Sequence, residues 1–120
     1  MSKDHNLKFK FDGLSTPIEV PTFEIVQFKQ KFNDYCVVVF CLNEGAKFMR
    51  QISQMAQFAK QVDIIVADGG STDGSVDVSF LSKNEITAVL TKTSKGGLSS
   101  QMRMAFAWAM NQNYRGDRKS

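Results

Sequence analysis

The chain has no long hydrophobic run. None of its stretches, across 120 residues, approaches the roughly 18 apolar residues that a membrane-spanning helix needs. Its polar start also has no apolar segment of the kind that directs secretion. Cysteine is scarce: Cys36 and Cys41 are the two. They lie five positions apart in one expected strand, so they point to opposite faces and cannot bridge. Two buried free thiols in a reducing compartment is the simplest reading, and a cytoplasmic location is expected. Positive charge is not concentrated either. The formal net charge is +3, and Lys and Arg are scattered except after Tyr114, so no nucleic-acid partner is expected. Histidine is nearly missing, since His5 stands alone in the polar start. No His-Glu-x-x-His or Cys-x-x-Cys pattern is available to hold a metal, and neither a Gly-x-Gly-x-x-Gly fingerprint nor a phosphate loop ending in Gly-Lys-Ser/Thr occurs. The run Gly70-Ser71-Thr72-Asp73-Gly74 has the wrong spacing for the Gly-x-Ser-x-Gly elbow of a serine hydrolase. No repeat or low-complexity segment is present.

What remains is the composition of one small soluble domain, 42% hydrophobic and 22% charged, large enough to bury a core. Residues 1–35 read as an N-terminal extension of short extended segments, broken up by Gly13, Pro17 and Pro21. An edge hairpin fits its apolar patches, and a short helix over 24–31 is the alternative. Cys36-Val37-Val38-Val39-Phe40-Cys41 is the first clear buried strand. A helix is predicted over 44–60, because Phe48, Met49, Ile52, Met55, Ala56 and Ala59 share one face of a 3.6-residue period. A second buried strand follows over 63–67, then a short helix over 74–81 with Val76 and Phe80 on one side. A third strand is expected over 86–90, and a last helix over 98–112 with Met102, Ala105, Phe106 and Ala109 on one face. The alternation of strand and helix, with right-handed crossovers, predicts a parallel sheet. Its polar loops at Asn43, Asp68 and Lys95 then gather at one edge, where open α/β sheets bind ligands.

The second of these loops is the most distinctive stretch. Ile64-Ile65-Val66 reads as a strand buried on both faces, and Asp68 falls where it ends. Gly69 and Gly70 let backbone approach a ligand closely, and Ser71, Thr72 or Asp73 can cap a following helix. A carboxylate at Asp68 can accept hydrogen bonds from a base or a sugar; capping the next helix is the plainer role.

Val37 to Glu44, followed about two dozen residues later by Ile65-Val66-Ala67-Asp68-Gly69-Gly70-Ser71-Thr72-Asp73-Gly74 and then by Lys95-Gly96-Gly97-Leu98, resembles the opening of a family 2 glycosyltransferase of the GT-A fold. The resemblance covers roughly residues 36–116. It implies a Rossmann-like three-layer α/β domain with a parallel sheet, truncated after the third β-α unit, with 36–116 as the nucleotide-sugar-binding half and 117–120 as a polar tail. By the same resemblance Phe40, Leu42 and Glu44 border the nucleotide, Asp68 hydrogen-bonds the base of a UDP- or GDP-sugar, and Gly70 belongs to the same motif. Lys95 lies near the nucleotide, and Arg103 assists with phosphate charge. Glu44 as a mere helix-terminal acid and Lys95 as an ordinary solvated lysine are the plainer alternatives. Two positions depart from the family's usual pattern, which often has proline where Phe40 stands and aspartate where Gly69 stands.

The family's next strand would carry an Asp-x-Asp-like motif for a divalent metal, Mg or Mn, which the complete enzyme is expected to need. Here Asp117-Arg118-Lys119-Ser120 follows instead, so the metal ligands and the catalytic residues are not identified in this chain. The expectation is therefore a donor-binding fragment, inactive alone, whose acceptor is unidentified and whose complete form has membrane association as an option beside the cytoplasm. A first strand without a neighbour on one side also predicts self-association through an exposed sheet edge. A non-catalytic nucleotide-binding or assembly module is the rival from another class.

Overall fold

A computed structural model describes residues 8–9 and 18–115, with side chains from 20 onwards. The expectations for the first six residues, Gly13, Pro17 and the 117–120 tail lie outside them. Among the described residues the order is β1 (Lys8–Phe9), β2 (Ile18–Glu19), β3 (Phe23–Gln27), β4 (Cys36–Cys41) and α1 (Gly45–Met55). A short 3-10 turn (Ala56–Phe58) precedes β5 (Asp63–Asp68), α2 (Val78–Lys83), β6 (Ala88–Lys92) and α3 (Leu98–Asn111). β1 and β2 form a small antiparallel ribbon of their own, and the other four strands make one sheet in the order β3-β6-β5-β4.

β4, β5 and β6 run parallel, as the alternating pattern predicts. The sheet is nevertheless not wholly parallel: β3 pairs antiparallel with β6, from Phe23 opposite Lys92 to Gln27 opposite Ala88. This corrects the expected all-parallel sheet, and it settles 23–27 as strand rather than helix. The physical reason lies in its side chains. Phe23 and Ile25 join the core on one face of the sheet, while Val26 and Phe28 join the core on the other. A segment apolar on both sides is driven into a sheet.

β5 is the axis of the molecule, with all six positions buried. On one face Ile65, Ala67, Leu90, Met104 and Trp108 pack under α3. On the other, Val66, Val89, Phe48, Ile52 and Leu81 pack under α1 and α2. Cys36 and Cys41 fall on these opposite faces, and both are free thiols.

The third parallel strand lies two residues later than the expected 86–90, at Ala88–Lys92, and all three helices differ from expectation. α1 stops at Met55 and tightens into the 3-10 turn, although Met49, Met55, Ala56 and Ala59 remain on its inner side. α2 begins at Val78, four residues late, because Asp77 caps it: its carboxylate accepts from the Phe80 N–H at 2.9 Å. α3 is rotated by about one position from the predicted face. Gln101, Met104, Ala105 and Trp108 are buried, whereas Met102 and Phe106 are exposed. Burying the Trp108 indole against Tyr114 removes more apolar surface from water than burying Phe106 would, and that fixes the rotation.

The end of the sheet where the parallel strands begin is closed by a buried acid. Asp63 accepts from the Phe32 N–H at 2.9 Å, the Asn33 N–H at 3.1 Å, the Asn33 side-chain amide at 2.8 Å and the Tyr114 hydroxyl at 2.6 Å. Four donors satisfy a carboxylate that is wholly removed from water, as a buried charge requires.

Candidate functional site

At the opposite end, where β4 and β5 finish, two loops are laced together. The Asn43 N–H donates to Ser71 Oγ at 2.9 Å, and Ser71 Oγ donates to Asp68 Oδ1 at 2.6 Å. The Asn43 side-chain oxygen accepts in return from the N–H groups of Thr72 and Asp73, at 2.8 and 3.2 Å. Asn43 takes the left-handed conformation, with φ of 52°, which asparagine tolerates better than most residues. Gly69 N donates to Cys41 O at 2.9 Å, so the strands stay paired into the loops.

Asp68 is 2% exposed and faces inward. It accepts from the Ser71 N–H at 3.2 and 3.1 Å as well as from the Ser71 hydroxyl, closing a tight turn around Gly69 and Gly70. Ser71, Thr72 and Asp73 were the residues expected to cap the next helix, and Asp77 does so instead. Asp73 turns the other way. It accepts from the N–H and the hydroxyl of Ser75 and lies beside Gly45, the first residue of α1. The Ser75 hydroxyl first, then the backbone N–H groups of Ser75, Asp73 and Gly45, hold the Asp73 carboxyl below the ordinary carboxylate range. Glu44, the residue at the N-terminus of α1, makes no side-chain cap. An acid from the neighbouring loop thus stands at the positive end of α1, where a negative charge is favourable.

Gln101 reaches down from α3 over this turn. Its amide donates to Cys41 O at 3.2 Å and to Ala67 O at 3.0 Å, bridging the ends of β4 and β5. A Cβ on Gly69 would stand 3.0 Å from the Gln101 side chain. The structure therefore gives a local reason for glycine at the position where the resembled family often has aspartate. Gly70, with φ of 107°, lies against the Lys92 carbonyl. Lys92, 5% exposed, donates to Ser94 O at 3.0 Å and Gly96 O at 2.7 Å, which shapes the loop over 93–97.

Five of the seven predicted site residues fall into two grooves. Phe40, Leu42 and Glu44 come together with Leu98 and Gln101 around a shallow groove of about 300 Å³. Lys95 and Arg103 come together with Ser94, Ser100 and Thr22 around a second, of about 350 Å³. Arg103 donates to Ser99 Oγ at 2.9 Å, and Lys95 is exposed. Asp68 and Gly70 line neither groove. A larger concavity of about 710 Å³, lined by Lys29, Phe32, Lys60 and Glu85 among others, lies at the far end of the sheet and holds none of the seven.

Gln101 and Lys92 are the residues that sequence reasoning passed over; Asn43 was read only as marking a polar loop and Asp73 only as a possible helix cap. Gln101 carried one usable signal, a polar side chain spaced three and seven positions from Met104 and Trp108 on a helix that is otherwise apolar there. Among the described residues no group of three or more His, Cys, Asp or Glu could hold a metal ion, and no helix is long and apolar enough to cross a membrane. Set beside models of known families, characterised proteins and solved structures, the chain matches none of them.

Proposed function

We propose that this chain binds a nucleoside-diphosphate sugar, UDP- or GDP-linked, as the donor-binding part of a family 2-like glycosyltransferase of Rossmann-like, GT-A type. The observation that carries this reading is the interlock at the sheet's carboxyl edge. Two successive parallel strands end in loops that hold each other through Asn43, Ser71 and Asp73, beside a groove bordered by Phe40, Leu42 and Glu44. That edge is where α/β sheets take ligands. The half-buried Phe40 and exposed Leu42 offer apolar surface to a base. Asp68 Oδ2 accepts from the Ser71 N–H at 3.1 Å and has capacity for a second donor; from its buried place it would meet a base N–H at the turn around Gly69 and Gly70 rather than in either groove. Lys95 and Arg103, one groove away, supply positive charge of the kind that favours a diphosphate. A divalent metal, Mg or Mn, belongs to this reading, with ligands that are not identified among the described residues. The acceptor is left open.

The test is a thermal-shift and calorimetric titration with UDP, GDP and their sugars, with and without manganese. Binding at a hundredfold excess over the dissociation constant stabilises the fold by about 2.7 kcal/mol. One nucleotide is expected to bind, tenfold or more weakly in Glu44→Ala, an exposed change that spares the core, and in Asp68→Asn, whose folding is checked separately. Failure of every nucleoside diphosphate to bind the folded chain would sink the reading.

A further inference from the structure

We propose that the concavity at the far end of the sheet, where the parallel strands begin, is a second binding site, and that it takes a small planar aromatic acid carrying one negative charge. Its volume of about 710 Å³ is about twice that of either groove at the carboxyl edge and falls in the range of small-molecule sites. It shares no lining residue with those grooves, so the inference does not rest on nucleotide binding.

Three segments meet there. The loop after β3 brings Lys29 and Phe32, the 3-10 turn and its exit bring Ala56, Ala59 and Lys60, and Glu85 stands ahead of β6. The wall made by Phe32 is fixed from behind. The Phe32 N–H donates to Asp63 Oδ2 at 2.9 Å, and the Asn33 N–H and side-chain amide donate to Asp63 Oδ1 at 3.1 and 2.8 Å. A buried carboxylate thus ties down the backbone that carries the ring. The ring itself is 72% exposed, more than any other large apolar side chain among the described residues. An aromatic ring held beside a concavity offers its face for stacking.

A second wall depends on Glu85. It follows α2 in the left-handed conformation, with φ of 65°, and its N–H donates to Ser82 O at 3.2 Å. Glycine is the usual residue at such a helix end, and a side chain there strains the backbone. The glutamate carboxylate reaches Lys29 Nζ at 3.4 Å, across 56 positions of chain.

The balance of charge and surface selects the ligand. Lys29 and Glu85 satisfy each other, while Lys60 has no ion-pair partner among the described residues. One positive charge is left over. Ala56 and Ala59 contribute methyl groups only, so their side of the cavity is apolar and unfilled. The Gln57 side-chain nitrogen donates to Gln54 O at 2.9 Å, which leaves its oxygen to accept from a ligand hydroxyl or N–H. A carboxylate or similar anion would gain a charge-assisted bond from Lys60. An inorganic anion would gain nothing from Phe32, and a neutral aromatic nothing from Lys60, so ring and charge belong in one molecule.

Amide chemical-shift mapping of the folded chain with benzoate, 2-naphthoate and indole-3-acetate tests this, with 2-naphthamide and cyclohexanecarboxylate as the uncharged and non-aromatic controls. At least one aromatic acid is expected to bind saturably at submillimolar concentration, moving the amides of 29–32, 57–60 and 85 and leaving 40–44 and 95–98 in place. Both controls are expected to bind tenfold or more weakly. Lys60→Met removes the charge and keeps an unbranched stem; Phe32→Ser removes the ring. Both positions are exposed, so far-ultraviolet circular dichroism should be unchanged while each variant binds tenfold or more weakly. The proposal is overturned if no aromatic acid gives saturable shifts, if the shifts centre on 40–44 or 95–98, or if Lys60→Met binds as tightly as the unaltered chain. The titration contains no nucleotide, so its failure leaves the donor reading standing.

Discussion

Gly69 and Gln101 act as a single unit. The space a Cβ would take at 69 is filled by the Gln101 amide, which is committed to the carbonyls of Cys41 and Ala67. Gly69→Ala should therefore displace Gln101 and take one donor from each of two carbonyls, of which Cys41 O keeps the Gly69 N–H, costing about 1 kcal/mol. In a Gln101→Ala background the same change should cost far less. Urea unfolding of the four proteins in a double-mutant cycle should give a coupling of about 1 kcal/mol; additive effects would mean that the two positions are independent. At this scale the sequence was partly legible. Asp68 and the glycines beside it stood out because a polar turn broke an apolar run within one residue. Asn43 and Asp73 did not reveal their partnership, since each bonds to a loop about thirty positions away, and nothing local in a chain announces such a bond.

The elements whose apolar pattern is continuous were the readable ones. β4 and β5 follow their hydrophobic runs closely, and α1 does so as far as Met55, for burial outweighs the alternatives there. β3 was ambiguous because Pro21 and the patchy alternation around it suit a hairpin, a helix or an edge strand equally well, and only the sheet supplies the choice. α2 shows a cap winning over pattern: Val76 looked helical, yet the carboxylate of Asp77 offers the Phe80 N–H a partner, so the helix starts after it. Asp77→Ala should cost about 1 kcal/mol. Hydrogen exchange at Phe80 and Leu81 should quicken, while exchange in β5 falls back only by that global loss. Unchanged protection at Phe80 would show that packing of Leu81, rather than the cap, sets where α2 begins. The face of α3 was misjudged for a related reason. Two apolar stripes were available one position apart, and the larger side chain decided between them.

Across the whole molecule the alternation of strands and helices and the edge that collects the loops were legible, while the antiparallel β3 and the division of the site into two grooves were not; the division depends on how α3 crosses the sheet. The other end of the sheet sets the pH dependence. Burial, then the charge of Asp63, pushes the Cys36 thiol from 9.0 up to about 11. Burial, then the hydrogen bond to Asp63, raises the Tyr114 phenol as well. Both groups hold their protons more tightly folded than unfolded, so their contribution is complete below pH 9.0 and is lost as pH rises, first through Cys36 up to about 11. Equilibrium unfolding should show stability falling across that interval, and Cys36→Ala should flatten the fall. A slope unaltered by that change would assign it to other groups.

The Asp63 clasp also bears on the order of events in folding. It joins the loop at Phe32 and Asn33 to the start of β5 and to Tyr114, 51 positions further on. Loops of that length close late, after nearer contacts have formed. The carboxylate therefore closes only when both crossovers are in place, and it acts as a latch on a finished sheet. Its strength belongs to the rate at which the protein comes apart more than to the rate at which it forms.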